Sequence, residues 1–407
     1  MRAYWFAAGA VAAFVVLELL LRAAGYSSPV WYAPHPQLGW TLRPEASGWF
    51  SAEGRSYVQI SPTGRRDREH ALAKPPATYR IVVLGDAYSE AMQVPLEKAY
   101  WAQLPARLAA CGFQPGRRIE ALNFSASGYG TAQEYLLLQS AAIRYRPDLV
   151  LLQFTNGNDV RNNSFALSEE HDKPFFRFGP DGELRLDASF AVSPEFRKRT
   201  SASAELLRVA TDHSRLLQML RAVRERAPWR RAPAESAPGM EQGLEPSALR
   251  PPEDALWEDA WQVTEALIRK IHDYAAGRGA QFLVVTVPYA IQVHPDPASR
   301  RALAERMRLP DLFYPDRRIT EFAARNQIAA LALAPLMQPL AESSGTFLHG
   351  FANSGMGRGH WNRDGHRVAA DLIAQFLCES RRGGTQHAAL PGRAAPAFHA
   401  RRSPEGR

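Results

Sequence analysis

Cysteine is scarce in this chain: two residues, Cys111 and Cys378, among 407. There is no Cys-x-x-Cys pair and no Cys/His grouping, so the usual ligand set of a structural zinc site is missing. No metal and no cofactor is implied. A basic stripe of the kind that tracks a phosphate backbone is also absent. The net charge is +8, but residues 381–407 hold six arginines against one glutamate, so five of the eight excess charges sit in that last stretch. Nucleic acid is therefore not an expected partner. Hydrophobic residues make up 46% and charged residues 22% of the chain, which excludes a disordered or fibrous protein. The length suits one large domain or two ordinary ones.

One long apolar run is present. Tyr4 to Leu21 is apolar except for Glu18, with Arg2 before it and Arg22 after it. That is about the length of a membrane-crossing helix, and Tyr4 and Trp5 stand at its edge. The run is long for a signal-peptide core, and Ala23-Ala24-Gly25 is the nearest approach to a cleavage site. Residues 1–26 are expected to be a membrane anchor.

Residues 27–79 are rich in Pro, Gly, Ser and Trp and are expected to be an extended lead-in with some β structure. The main domain is expected over 80–380. Ile81-Val82-Val83-Leu84 is a short apolar run ended by Gly85-Asp86, as in a buried parallel strand that runs into a functional loop. A helix over 97–110, a strand over 119–124, a helix over 131–144 and a buried strand over 149–154 follow. Residues 227–252 are dense in Pro, Ala, Arg and Glu and suggest a flexible insertion. A helix is expected over 253–277, a strand over 281–287, helices at 300–308 and 317–325, a weak strand over 328–333 and a last helix over 366–377. Residues 381–407 are expected to be a disordered basic tail. Alternating strands and helices imply a parallel sheet covered on both faces. In such sheets the site lies beyond the carboxyl ends of the strands, where the loops after Leu84, Phe124 and Phe154 fall.

Four short blocks at these strand or loop ends resemble, in order, the signature blocks of the SGNH/GDSL hydrolase superfamily. They are Gly85-Asp86-Ala87, Gly128 within Ser125-Ala126-Ser127-Gly128-Tyr129-Gly130, Gly157-Asn158-Asp159, and His360 within Gly357-Arg358-Gly359-His360-Trp361-Asn362. Leu38-Gly39-Trp40 and Thr63-Gly64-Arg65-Arg66-Asp67 resemble the anchored, envelope-associated branch of the same family. The resemblance implies a flavodoxin-like three-layer α/β/α fold and ester hydrolysis or acyl transfer. It further implies an acylated carbohydrate or small ester as substrate, no cofactor, and an envelope protein as a further partner. The globular domain would lie outside the cytoplasm, held to the inner membrane by a single span.

Carried onto these positions, the resemblance makes His360 the general base. The oxyanion donors would be the Ala87 N–H, the Gly128 N–H and the Asn158 side chain, with Gly85, Asp86 and Asp159 in support. Such a site needs a nucleophile, a base and oxyanion donors. The nucleophile position is Ala87, which has no hydroxyl, and loss of a catalytic serine costs on the order of a million-fold in kcat. The aspartate expected just before the histidine is also missing, since Gly357 and Arg358 stand there; a backbone carbonyl could orient the ring instead. Ser89 is a possible substitute nucleophile, against the simpler reading that it caps the next helix. Ser125 and Ser127 are further candidates or loop-lining residues, and water activated by His360 is another route. Taken singly the motifs have plainer readings: Gly128 and Gly130 as turn glycines, Asn158 and Asp159 as an Asx-type turn, and His360 as a packed histidine for which His366 could be mistaken. Two function classes stay open, an esterase or O-acyl transferase and a pseudoenzyme that binds acylated glycans. In a flavodoxin-like layout the first and last helices lie side by side, so Cys111 and Cys378 are expected to form a disulfide in an oxidising compartment.

Overall fold

In the computed structural model, residues 2–226 and 246–382 are described. Five strands form one parallel sheet: β1 (Thr78–Leu84), β2 (Arg118–Asn123), β3 (Leu149–Thr155), β4 (Gln281–Val287) and β5 (Ala329–Ala332). Their order is β5-β4-β3-β1-β2. This is the flavodoxin-like order, whose switch point lies between β1 and β3. Every residue of β1 and β3 is buried, which is why both are mainly apolar or β-branched runs, broken only by the buried, hydrogen-bonded Arg80 and Gln153.

The principal helices are α1 (Arg2–Ala23), α2 (Tyr100–Ala110), α3 (Thr131–Ser140), α4 (Ala202–His213), α5 (Arg215–Arg226), α6 (Ala255–Ala276), α7 (Tyr314–Arg325) and α8 (Arg363–Arg382). Successive side chains of a strand point to opposite faces. Ile81, Val83, Leu151 and Val285 therefore pack with Trp101, Leu104 and Leu108 of α2 and Ile373 of α8. Val82, Leu84, Val150 and Val284 pack with Leu138 of α3, Trp261 and Ile268 of α6, and Phe322 of α7 on the other face. The result is a three-layer α/β/α architecture. α2 and α8 lie against each other, and Cys111, just past α2, is disulfide-bonded to Cys378 in α8 with their Cα atoms 6.4 Å apart.

The lead-in is two antiparallel hairpins, Tyr32–His35 with Gly39–Leu42 and Ser47–Phe50 with Ser56–Gln59. It is stitched to the sheet and is not a loose spacer. The buried Arg66 guanidinium donates to the Glu90 carbonyl at 2.7 Å. The Asp67 carboxylate accepts from the Asn123 N–H at 2.8 Å, at the end of β2. Two further features have no counterpart among the elements expected from the sequence. One is the stretch after β3, which holds a hairpin (Phe175–Phe178 with Leu184–Asp187) and the pair α4 and α5. The other is the hairpin His349–Phe351 with Gly355–Trp361, which delivers His360. Residues 2–23 form a helix whose segment Tyr4–Ala23 is long and apolar enough to cross a membrane, with a mean hydropathy of 2.0. Most of the expected insertion, 227–245, and most of the expected tail, 383–407, lie outside the described residues.

Candidate active site

The chain leaves β1 through Gly85 into a four-residue helix, Ala87–Glu90. Asp86 is its cap. The Asp86 carboxylate accepts from the Tyr88 N–H at 3.0 Å, and its carbonyl accepts from the Ser89 and Glu90 N–H groups. The Ala87 N–H takes no part in this cap. Asp86 also accepts from the Thr155 hydroxyl at 2.9 Å and from the Asn158 amide at 3.4 Å. The ends of β1 and β3 are thus tied together by one carboxylate, with Ala87 and Asn158 on either side of it.

Ser89 neither caps the helix, as the sequence suggested, nor pairs with His360. It lies inside the four-residue turn, fully buried. Its hydroxyl is 2.7 Å from the Tyr100 hydroxyl and donates to the Gln153 side chain at 2.9 Å. Both bonds hold it in the core layer below the loop. Ser127 lends its carbonyl to the Trp40 indole N–H at 2.9 Å, and Ser125 is buried in the same loop. The next residue, Gly128, has a φ of +79°, and a Cβ there would meet the Trp40 ring at 3.0 Å. Here the turn requires glycine both for its left-handed backbone and for the approach of the indole.

Asp159 accepts from the Thr155 N–H at 2.7 Å and is fully buried. Burial and then the neighbouring Asp86 charge push its carboxyl well above the ordinary range.

His360 is the residue for which the structure supplies what the sequence lacked. Its Nδ1 lies 2.5 Å from Glu53 Oε2, and its backbone N–H donates to Glu53 Oε1 at 2.8 Å. Glu53 sits in the tight loop between Phe50 and Ser56 of the lead-in, so a carboxylate, not a backbone carbonyl, orients the ring. The preceding Gly359 has a φ of +71°, and a Cβ there would stand 2.2 Å from Glu53 Oε1. Burial of the imidazole pushes its pKa down. The hydrogen bond and charge of Glu53 outweigh that, with Asp86 and Glu90 adding to them, and the net shift is upward from the ordinary value. With Nδ1 held by a carboxylate, Nε2 is the nitrogen that can exchange a proton. The side chain is 32% exposed, so a substrate can reach it. The Tyr88 ring packs 5.1 Å from the imidazole, which puts the Ala87 helix against the histidine strand.

Two other histidines lie close by and are not alternatives. His366 is buried, its Nδ1 accepts from the Tyr100 N–H at 3.3 Å, and burial pushes its pKa down to about 3. His349 is likewise pushed down to about 3 by burial. Sequence reasoning missed two acids. Glu53 is one. The other is Glu90, which is buried and accepts from the Tyr32 hydroxyl with both oxygens at 2.9 Å. Burial raises it, Tyr32 and other donors pull it back, and it settles at about 7. No metal-binding group of His, Cys, Asp or Glu occurs among the described residues.

A cleft of about 610 Å³ opens beside Gly128, lined among others by Tyr32, Trp40, Ser127, Glu170, Asp172 and Arg199. Arg199 pairs with Asp172 at 2.5 Å across it. Three carboxylates (Glu169, Glu170 and Asp172) and a guanidinium line it together with the Tyr32 and Trp40 rings.

No protein-family model matches the chain, and no curated protein matches it. Solved structures do. A GDSL-like lipase from Bacteroides thetaiotaomicron is 12% identical, with a TM-score of 0.32 over 74% of this chain and 88% of the lipase. An acetyl xylan esterase is 13% identical, with a TM-score of 0.37 over 73% of this chain and 98% of the esterase. A catalytic mutant of an acetylxylan esterase from Geobacillus stearothermophilus is 12% identical, with a TM-score of 0.38 over 75% and 96%. The solved structures to which this chain is similar thus include a GDSL-like lipase and acetyl xylan esterases.

Proposed function

We propose that this chain is an SGNH-type ester hydrolase in which the Glu53–His360 pair activates water directly, with O-acylated carbohydrate of the cell envelope as substrate. The observation that carries this reading is the 2.5 Å contact between Glu53 Oε2 and His360 Nδ1. A carboxylate-held imidazole next to the helix that starts at Ala87 is the arrangement a general base needs, and it does not depend on a serine. Water attacks the acyl carbonyl carbon and gives its proton to His360 Nε2. The oxyanion that forms is held by the Ala87 and Gly128 N–H groups and the Asn158 amide. Collapse breaks the ester C–O bond, and the leaving alkoxide takes the proton back from His360. The products are a carboxylic acid and the free sugar hydroxyl.

The cleft beside Gly128, with Trp40, Tyr32 and its carboxylates, supports a carbohydrate ligand. The apolar helix Tyr4–Ala23 supports a single-span anchor, and the Cys111–Cys378 disulfide supports a domain outside the cytoplasm. The second reading is a pseudoenzyme that binds acylated glycans, or a protein of the envelope, without turning them over. Ala87, with a methyl group at the nucleophile position, is the observation that favours it.

Hydrolysis of acetylated xylan by the full chain in detergent separates the two. If the proposal holds, the unmodified protein releases acetate and His360→Ala lowers the rate by about 10²- to 10⁴-fold, the usual share of a general base. A silent protein that Ala87→Ser awakens would instead establish the binding module.

A further inference from the structure

The helices α4 and α5 are short, adjacent and amphipathic. One side of each is fastened to the rest of the chain. The Arg43 guanidinium pairs with Asp212. The Gln218 side chain accepts from the Ser28 N–H at 2.9 Å, and Arg221 donates to the Ser28 and Pro29 carbonyls at 2.8 and 2.9 Å. The other side carries large apolar residues in the open. Leu206, Leu207 and Val209 are exposed on α4, and Leu220 and Val223 on α5, with Leu206 70% and Val223 62% accessible. Spacings of three put Leu206 with Val209, and Leu220 with Val223, on one face of each helix, with Leu207 one step round from Leu206. An apolar face of this kind marks an interaction surface.

What covers it is indicated by α1. The Glu18 carboxylate accepts from the Arg215 and Leu216 N–H groups at 2.9 and 3.0 Å and from the Ser214 hydroxyl at 3.0 Å, so it caps the start of α5. Arg22 donates to the His213 carbonyl, at the end of α4, at 2.6 Å. The junction between α4 and α5 is therefore bonded to the last turns of the apolar helix. Glu18 precedes the end of the span at Ala23 by about 7 Å at ~1.5 Å per residue. Interfacial amphipathic helices bury their apolar face about 5–10 Å into the boundary between headgroups and acyl chains. The two depths agree. Arg224 is exposed beside Val223, where a guanidinium can reach phosphates while its stem stays in the apolar layer; Arg208 is instead held by Glu205 and the Arg199 carbonyl.

We propose that α4 and α5 form a platform lying in the interfacial layer of the phospholipid bilayer that α1 enters. This rests on the reading of α1 as a retained membrane span. The platform also touches the candidate site, since Arg199 at the cleft rim accepts through its carbonyl from Arg208 at 2.9 Å. The partner surface is lipid, and the cleft is held beside it.

The test uses the full chain in vesicles of phosphatidylcholine and phosphatidylglycerol. Both native cysteines are in the disulfide, so one environment-sensitive dye can be placed on Leu206→Cys, Leu220→Cys or Val223→Cys. Val11→Cys reports on α1 and Leu72→Cys on an exposed position elsewhere; all five side chains are exposed, so the dye disturbs no packing. The expected result is blue-shifted emission at 206, 220 and 223 and loss of most of it to lipids with a nitroxide near the headgroup. Val11 should be quenched by deep nitroxides, and Leu72 by neither. If Val11 is quenched but the platform positions behave like Leu72, the platform is rejected and the span stands. If Val11 is not quenched, the span fails and the platform with it. A blue shift without lipid quenching would mean that protein covers the face, which also overturns the proposal.

Discussion

Glu53 and His360 form an ion pair whose effect on the imidazole has a defined sign. Glu53 favours the charged ring, so the His360 pKa is raised, and the neutral base needed for attack on an ester appears only as pH rises through that value. Glu53→Gln removes the charge and keeps the shape. In the acetate-release assay its pH–rate profile should shift to lower pH while the plateau rate falls, because the ring is no longer held by an ion. An unshifted profile would reduce Glu53 to a packing residue. Glu90 gives a second residue-level prediction. Its pKa is raised to about 7 by burial, so its protonated form contributes stability that is present at acid pH and lost as pH rises from the ordinary carboxyl value to about 7. Glu90→Gln removes that loss. Relative to the unmodified protein it should gain about 2–3 kcal/mol between pH 5 and pH 8 in urea unfolding. An equal difference at both pH values would mean the carboxyl is not buried as described. Of these residues the sequence revealed only some. His360 was legible because Gly-His-Trp-Asn follows a glycine-rich stretch in the last block. Glu53 was not, because a lone acid in a hairpin loop has no periodicity and its partner is 307 residues away. A histidine block without its own aspartate was the one hint to look for a carboxylate elsewhere. Ser89 was misread for a local reason: Ser before Glu resembles a cap, but Asp86 had already taken that role.

At the level of elements, the sheet was the most legible part of the chain. β1 and β3 are largely apolar because they are covered on both faces, with only Arg80 and Gln153 as long polar side chains, and each runs into small polar residues where the backbone turns into a loop. The helix expected over 97–110 begins instead at Tyr100, because Pro95 and the short turn Leu96–Lys98 occupy its first residues. The pair α4 and α5 went unread for a physical reason. Its apolar residues face outward, so the pattern does not continue into a protein core that would mark it as structural. The contact between α2 and α8 carries the disulfide, and the arginine of Arg107 pairs with Asp371 beside it at 2.5 Å. A cross-link between the first and last helices of the domain closes a very long loop. Cys378→Ser should lower unfolding stability by about 2–4 kcal/mol, read as a fall in denaturant midpoint. No change in midpoint would place the bond outside the cooperative unit.

On the scale of the whole molecule, the candidate site draws on both ends of the chain. The lead-in brings Tyr32, Trp40 and Glu53, the sheet brings Ala87, Gly128 and Asn158, and the last hairpin brings His360. Sequence composition separated an apolar N-terminal helix from the α/β body. It gave no sign that the stretch between them closes over the strand ends, because a Pro- and Gly-rich hairpin pair looks the same whether it spans a gap or covers a site. The pairing of Glu53 with His360 also sets an order in time. A growing chain emerges from its amino end at about 5–20 residues per second, and 307 positions separate the two residues. The glutamate therefore waits roughly 15–60 s for its histidine at those rates. Until then the emerging protein carries an acid with no imidazole to polarise.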